Sequence, residues 1–348
     1  MKDVAHHVGT STTTISNAFH HPERLSPGLR ERILETAERL GYRADPTARG
    51  LRLQSTGAIG VLYTESLPFA FSDPAFSVFL RGVAEVLEAE GRTLQLLSGA
   101  PSLPGAQDAL GNAAVDGAIW YGPVERDPRL RGLTHRRPPV VLVDADPVEG
   151  LVTVDVDDEV GAAAIAHHLF GLGHREVALV VMRGARGAPP SRVDPGTLHR
   201  SESRVIRARA AGYASAARRH RVAWSSLATW AAHSQFEEGR SVGLDILRAP
   251  QRPTAILCMS DQLALGVLAA AREVGVEVPR ELSVVGFDGV PESARSAPPL
   301  TTVTQDHSTK GRLAAEALLA ILKGGPGGPT RHVRTVLTLR GSTAPPRR

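Results

Sequence analysis

The sequence predicts a small all-helical head followed by a larger α/β body built of two parallel-sheet lobes. Three observations lead there. Residues 1–53 hold three short helical patterns punctuated by glycine. After Gly57, short apolar runs alternate with helical patterns, which is the mark of α/β layers. Those runs fall into two series, one for each lobe. The 348 residues suffice for two or three domains, and 42% hydrophobic against 22% charged residues lets each bury a core.

In the head, Val4, Ala5 and Val8 mark one face of a helix from about Lys2 to Val8, and Gly9 ends it. Ser11 is a good N-cap for a second helix, about Thr12 to Phe19. Ile15, Ala18 and Phe19 follow i, i+3, i+4 spacing and face the core. Thr12, Thr13, Ser16, Asn17 and His20 fall on the other side. That face is uncharged and rich in short hydrogen-bonding groups, which suit base edges and phosphates in a major groove. A third helix starts at Ser26 and Pro27, carries Leu29, Ile33, Ala37 and Leu40 as its stripe, and stops at Gly41. Two helices around a tight turn, braced by a third, form the helix-turn-helix layout; a generic three-helix cap is the alternative. Asp45 then caps a two-turn segment with Pro46 at its first position, read as either a linker or a helix that forms only when docked.

In the body, the first series runs through AIGVLY (58–63), a helix near 76–90, TLQLL (93–97), GAIWY (117–121) and PVVLVD (139–144). The second has a helix ending HHLFGLGH (167–174), EVALVVM (176–182), a helix through 209–220, AILCMS (255–260) and LSVVGFD (282–288). Ligands of such layers sit beyond the strand C-termini, here in the cleft between lobes. Residues 183–203, rich in Gly, Pro and Arg, read as a long loop, either a lid or disordered.

Several function classes drop out. A single cysteine, Cys258, excludes a disulfide framework and a cysteine-rich zinc site, and its apolar strand suggests a buried, inert thiol. No signal-peptide core and no apolar run of about 18 residues is present, so a cytoplasmic protein without a membrane partner is expected. The net charge of +4 leans toward an anionic partner, but residues 1–55 hold eight Lys/Arg against six Asp/Glu, so charge alone assigns none. There is no phosphate-binding loop, nucleophile elbow or HExxH. The pairs His6-His7, His20-His21 and His167-His168 diverge on helices, so no metal and no cofactor is expected.

Residues 2–53 resemble the head of the LacI–GalR family of bacterial regulators, through KDVAHHVGTSTTTISNAF, LSPGLRERILETAERLGYRADPTARGL and the following TGAIGV. The body resembles that family's sensor domain, itself like periplasmic sugar-binding proteins, through LGHREVALV, RARAAGY, AILCMSDQLALGVLAAAREVGVEVPRELSVVGFD, PPLTTVTQD and LTLRGSTAPP. The resemblance implies a helix-turn-helix domain at 1–44, a hinge helix and linker at 45–56, and a sensor and dimerisation domain at 57–342. Its first lobe would take 57–156 plus 306–330, its second 157–305 plus 331–342, both of periplasmic-binding-protein type.

It further implies a sequence-specific transcription regulator, a repressor and not an enzyme. Its homodimer would bind palindromic double-stranded operator DNA, under control of a small-molecule effector, a sugar or related metabolite, held between the lobes. Thr12, Thr13 and Asn17 would contact bases, and Ser11 and Ser16 phosphates. His20 stands where many members carry Asn, which leaves its backbone contact open. Ala48 and Leu51 would touch DNA from the hinge helix, Leu51 as a wedge in the minor groove. Arg209 would donate to effector oxygens and Asp288 would accept from effector hydroxyls; a surface arginine and a strand-end turn residue are the plain alternatives. Trp230 would stack on the ligand or pack in the core. Ser260, Gln305 and Tyr63 complete the implied effector set, with Thr64 and Glu65 beside Tyr63 and Asp261 as a helix cap. The stretch SLPFAFSDPAF (66–76) departs from the family pattern at the ligand mouth. A free transport-type binding protein would share the body but has no use for residues 1–53. A sugar-processing enzyme would need a base or nucleophile with partners in the cleft.

Overall fold

The computed structural model describes residues 1–20, 22–42, 55–100, 109–124, 138–183, 189–326 and 328–347. They form two compact units, Met1–Gly57 and Ala58–Arg348.

The first unit contains helices α1 (Lys2–Val8), α2 (Thr12–His20) and α3 (Pro27–Arg39). Gly9 ends α1 at φ 73°, a left-handed value that only glycine adopts without penalty. Ser11 caps α2, its Oγ accepting from the Thr14 backbone N–H at 3.1 Å. Pro27 opens α3, while Ser26 takes the cap position without a side-chain cap bond. Val4, Ala5, Ile15, Ala18, Ile33 and Ala37 are buried together, and Phe19 and Tyr42 pack against them. Leu40, expected in the α3 stripe, is 40% exposed because the helix ends before it.

The second unit begins with β1 (Ala58–Tyr63), α4 (Leu67–Ala70), α5 (Pro74–Ala89), β2 (Thr93–Ser98), α6 (Ala109–Asn112), β3 (Gly117–Tyr121), β4 (Val140–Val143) and β5 (Val152–Val156). It continues with α7 (Asp158–Gly171), β6 (Val177–Met182), β7 (Ser191–Val193), α8 (Arg204–Arg219), β8 (Ala228–Ala232), α9 (Phe236–Arg248), β9 (Ala255–Cys258), α10 (Asp261–Glu273) and β10 (Ser283–Asp288). Then come α11 (Pro291–Arg295), β11 (Thr301–Gln305), α12 (His307–Leu322), β12 (Arg331–Val333) and β13 (Thr335–Thr338).

The strands form two sheets, ordered β12-β5-β4-β3-β1-β2 and β13-β11-β10-β9-β6-β8-β7. The first is wholly parallel. The second is parallel inside, with antiparallel β13 and β7 at its edges. Inner strands such as β4 are buried at every position, because helices cover both faces. The edge strand β2 alternates exposed and half-buried residues instead. Helices α5 and α12 cover the first sheet, and α7 and α8 one face of the second. A side chain at Gly82 would collide with the Ser308 carbonyl and one at Gly311 with that of Phe79, so paired glycines let α5 and α12 touch backbone to backbone.

The chain crosses between lobes at 156–158, 305–307 and 333–335, and two crossovers are bonded together. The Asp157 N–H donates to the Val333 carbonyl at 3.3 Å, and Asp157 Oδ1 accepts from the Thr335 N–H at 2.6 Å. The third crossover corrects a boundary. Residues 331–342 were expected wholly in the second lobe, but Arg331–Val333 pairs with β5 in the first sheet. Residues 183–203 also differ from a bare loop. Ser191–Val193 pairs with β8, and Asp194 caps a 3-10 helix over Pro195–Arg200.

Candidate effector site and DNA-reading helix

On α2, Thr12 and Thr13 are exposed and Asn17 is half-buried, as the apolar spacing of Ile15, Ala18 and Phe19 demands. Ser16 departs from the expected polar face. It is 5% exposed, because at 100° per residue it borders the stripe beside Phe19. Ser11 is exposed, with its hydroxyl engaged by Thr14. The His20 side chain, Ala48 and Leu51 lie outside the described residues.

In the second unit, strand C-termini from both sheets meet at one cleft. The Arg209 side chain of α8 is 4% exposed. Its Nε donates to Asp158 Oδ1 at 2.8 Å, Nη2 to Asp288 Oδ1 at 3.1 Å and Nη1 to the Met259 carbonyl. Its guanidinium lies 3.7 Å from the Phe287 ring centre. Gln305 Nε2 donates to the same Asp288 oxygen at 2.8 Å. Lys310 Nζ then donates to Gln305 Oε1 at 3.4 Å and to Asp144 Oδ2 at 2.5 Å. One continuous polar chain therefore runs from Asp158 in the second lobe to Asp144 in the first. His307 Nε2 lies 3.2 Å from the Asp288 carbonyl.

Two of these carboxylates sit on strained backbone. Asp144 directly follows β4 at φ 54° and Asp288 ends β10 at φ 114°, positive values that non-glycine residues adopt uncommonly. Burial raises the Asp288 carboxyl to about 6, against the pull of Arg209. Burial likewise raises Asp158, which Arg209 also opposes. Burial pulls Arg209 down, but Asp288 and Asp158 more than offset this and hold it above its ordinary value. His307 is pushed well below the usual histidine range by burial and then by Lys310, so its ring is neutral.

Of the implied effector residues, the structure brings together Arg209, Asp288 and Gln305. Tyr63 is buried: its hydroxyl donates to Asp73 Oδ2 at 3.1 Å and its ring stacks with Phe76 at 4.2 Å in the core. Ser260 is buried and already committed. It caps α10, accepting from the Leu263 N–H at 3.3 Å and from Ser234 Oγ at 2.7 Å. Asp261, expected as that cap, instead accepts from Thr302 Oγ1 at 2.5 Å and the Val290 N–H at 2.9 Å. Trp230 is mid-strand in β8, packed against Val242 and its neighbours and covered by Arg192 at 4.6 Å. The strand runs two residues beyond Trp230, so the ring that faces the first lobe is His233. Sequence reading missed Lys310, Asp144, Asp158 and His307. Among the described residues no group of three or more His, Cys, Asp or Glu could hold a metal, and no helix is long and apolar enough to cross a membrane.

Residues 1–45 match the family model described as bacterial regulatory proteins, lacI family, and residues 166–343 match that of the periplasmic binding protein-like domain. An HTH-type transcriptional regulator of Mycobacterium tuberculosis is 38% identical over 99% of this chain and 97% of its own length. A crystal structure of a LacI-family transcriptional regulator from Corynebacterium glutamicum is 31% identical, covers 99% of this chain and 98% of its own, and superposes with a TM-score of 0.74. The lac repressor dimer bound to operator and the anti-inducer ONPF shares the fold, with a TM-score of 0.80 at 24% identity over 98% of each chain.

Proposed function

We propose, because this chain belongs to the LacI family of bacterial regulatory proteins, that it is a repressor released from operator DNA by a neutral, polyhydroxylated effector. One observation favours that ligand class. Asp144 Oδ1 and Asp158 Oδ2 are buried without a hydrogen-bond partner, and so is His307 Nδ1. The Asp288 carbonyl can only accept, so the neutral His307 carries its proton on Nε2 and leaves Nδ1 as an acceptor. Every one of these open positions therefore accepts, and a fitting ligand must donate. Buried acceptors left unpaired are costly, and ligand hydroxyls would satisfy them. An anionic ligand would meet Asp144, Asp158 and Asp288 at close quarters.

On the DNA side, Thr12, Thr13 and Asn17 read base edges, and Ser11 contacts phosphate while capping α2. Ala48 and Leu51 act from the hinge segment. Two chains pair to match a palindromic operator; the lac repressor, whose fold this chain shares, was solved as a dimer bound to operator. The complex works in the cytoplasm. Effector binding changes the cleft angle and so the affinity for DNA, which requires unequal affinity for two lobe arrangements.

The test is selection of bound sites from a random DNA pool at stated salt, followed by release assays with neutral sugars and polyols beside sugar phosphates. The proposal expects an enriched palindrome, released by a neutral compound and by no phosphate ester. Folded protein that enriches no palindrome, with or without those compounds, would overturn it.

A further inference from the structure

We infer that Phe69 of the first lobe and His233 of the second, with Glu65 beside them, form a clasp that holds the mouth of the cleft shut. That this sets effector affinity rests on the reading proposed above; the clasp itself does not.

The structure gives the segment between β1 and α5 a fixed shape. Ser66 caps α4 by accepting from the Phe69 N–H at 3.4 Å, and Asp73 caps α5 while accepting from Tyr63. Ser98 Oγ donates to the Glu65 carbonyl at 3.4 Å. So short a helix would ordinarily leave its apolar residues in water. Phe71, two positions on, is 76% exposed, yet Phe69 is 6% exposed. Phe69 joins the first-lobe core, with Tyr63 on one side, ring centres 6.2 Å apart, and the His233 imidazole of the second lobe edge-on at 4.5 Å. Glu65 Oε2 lies 3.9 Å from His233 Nε2. His233 is fixed in turn, its backbone N–H donating to Glu238 Oε2 at 2.5 Å.

Position in the sheets gives this contact leverage. The crossovers lie at the β12/β5 edge of the first sheet and the β13/β11 edge of the second. The clasp follows β1 and β8, near the opposite edges. With neighbouring strands about 4.8 Å apart, it stands roughly 20 Å from the hinge edge. A lobe rotation of about 10° would part it by roughly 3–4 Å, enough to break a ring contact, while atoms at the crossovers hardly move. It is therefore more sensitive to opening than the contacts at the crossovers.

The test is the interlobe distance in the full chain, measured between spin labels at Arg81→Cys and Arg248→Cys. Both side chains are well exposed, one on each lobe, and the native Cys258 is buried. Phe69→Ala and His233→Ala should each lengthen the modal distance by several ångströms. The double variant should go no further, since either change removes the same contact. Phe69→Leu and His233→Gln, which keep bulk, should shift it in the same direction if either alanine variant folds poorly. Unchanged distances, or shifts that add in the double variant, would overturn the clasp. This readout needs neither DNA nor effector, so its failure is distinct from failure of the operator selection.

Discussion

Replacing Lys310 with Met is the most direct trial of the polar chain across the cleft. The Lys310 side chain is 1% exposed and that of Asp144 9%. Methionine fills much of the space but leaves the Asp144 carboxylate buried with neither oxygen partnered, and Gln305 Oε1 without its donor. Removing one member of a buried ion pair costs about 3–5 kcal/mol. For a unit of this size that corresponds to a fall in Tm of roughly 10 °C. Calorimetry at neutral pH reads the loss. Asp144→Asn in the Lys310→Met background should restore at least half the loss, because the stranded charge has gone. A neutral-pH loss under about 1 kcal/mol, or no recovery in the double variant, would refute the view that this pair is buried and coupled.

Three further outcomes are expected. Asn17→Ala should weaken specific operator binding by about 1–3 kcal/mol while nonspecific binding barely changes, and Leu51→Ala should show the same asymmetry; competition binding against random DNA distinguishes the two losses. Burial raises Asp261 to about 8 and Asp155 to about 7, so their contribution to stability is full below pH 4 and is lost as pH rises through 7 to 8. Asp261→Asn should flatten that decline in a pH series of urea melts. Burial pushes the Cys258 thiol well up, so thiol reagents should label it only after unfolding, and rapid native labelling, read by mass spectrometry, would contradict its place in β9.

Most of the architecture was legible because buried parallel strands announce themselves. AIGVLY and GAIWY coincide with β1 and β3 residue for residue. Short edge strands were not legible. Ser191–Val193 and Arg331–Val333 are three residues each, too short for periodicity to show, and their partners are remote in sequence. The site divided in the same way. Arg209 and Asp288 stood out as charges beside recognisable motifs. Asp144 ends PVVLVD as Asp288 ends LSVVGFD, so the same signal was present there. Lys310 could have been found as a charge on the apolar stripe of Ala314, Ala317 and Leu318. Trp230 misled because its environment depends on where β8 ends, which an Ala-rich strand does not declare. Ser16 was misplaced because a residue at the border of a stripe can fall either way.

The three crossovers also fix an order of assembly. The first sheet needs β12, and its covering helix α12 comes only after the whole of the second lobe's inner strands have been made. Neither lobe can complete its core while the ribosome is still short of residue 333, whereas the buried core of the helical head lies between Val4 and Tyr42. During synthesis the DNA-reading helix is therefore ready long before the sensor meant to govern it. A chain cut short anywhere in the body would keep its reader and lose its control.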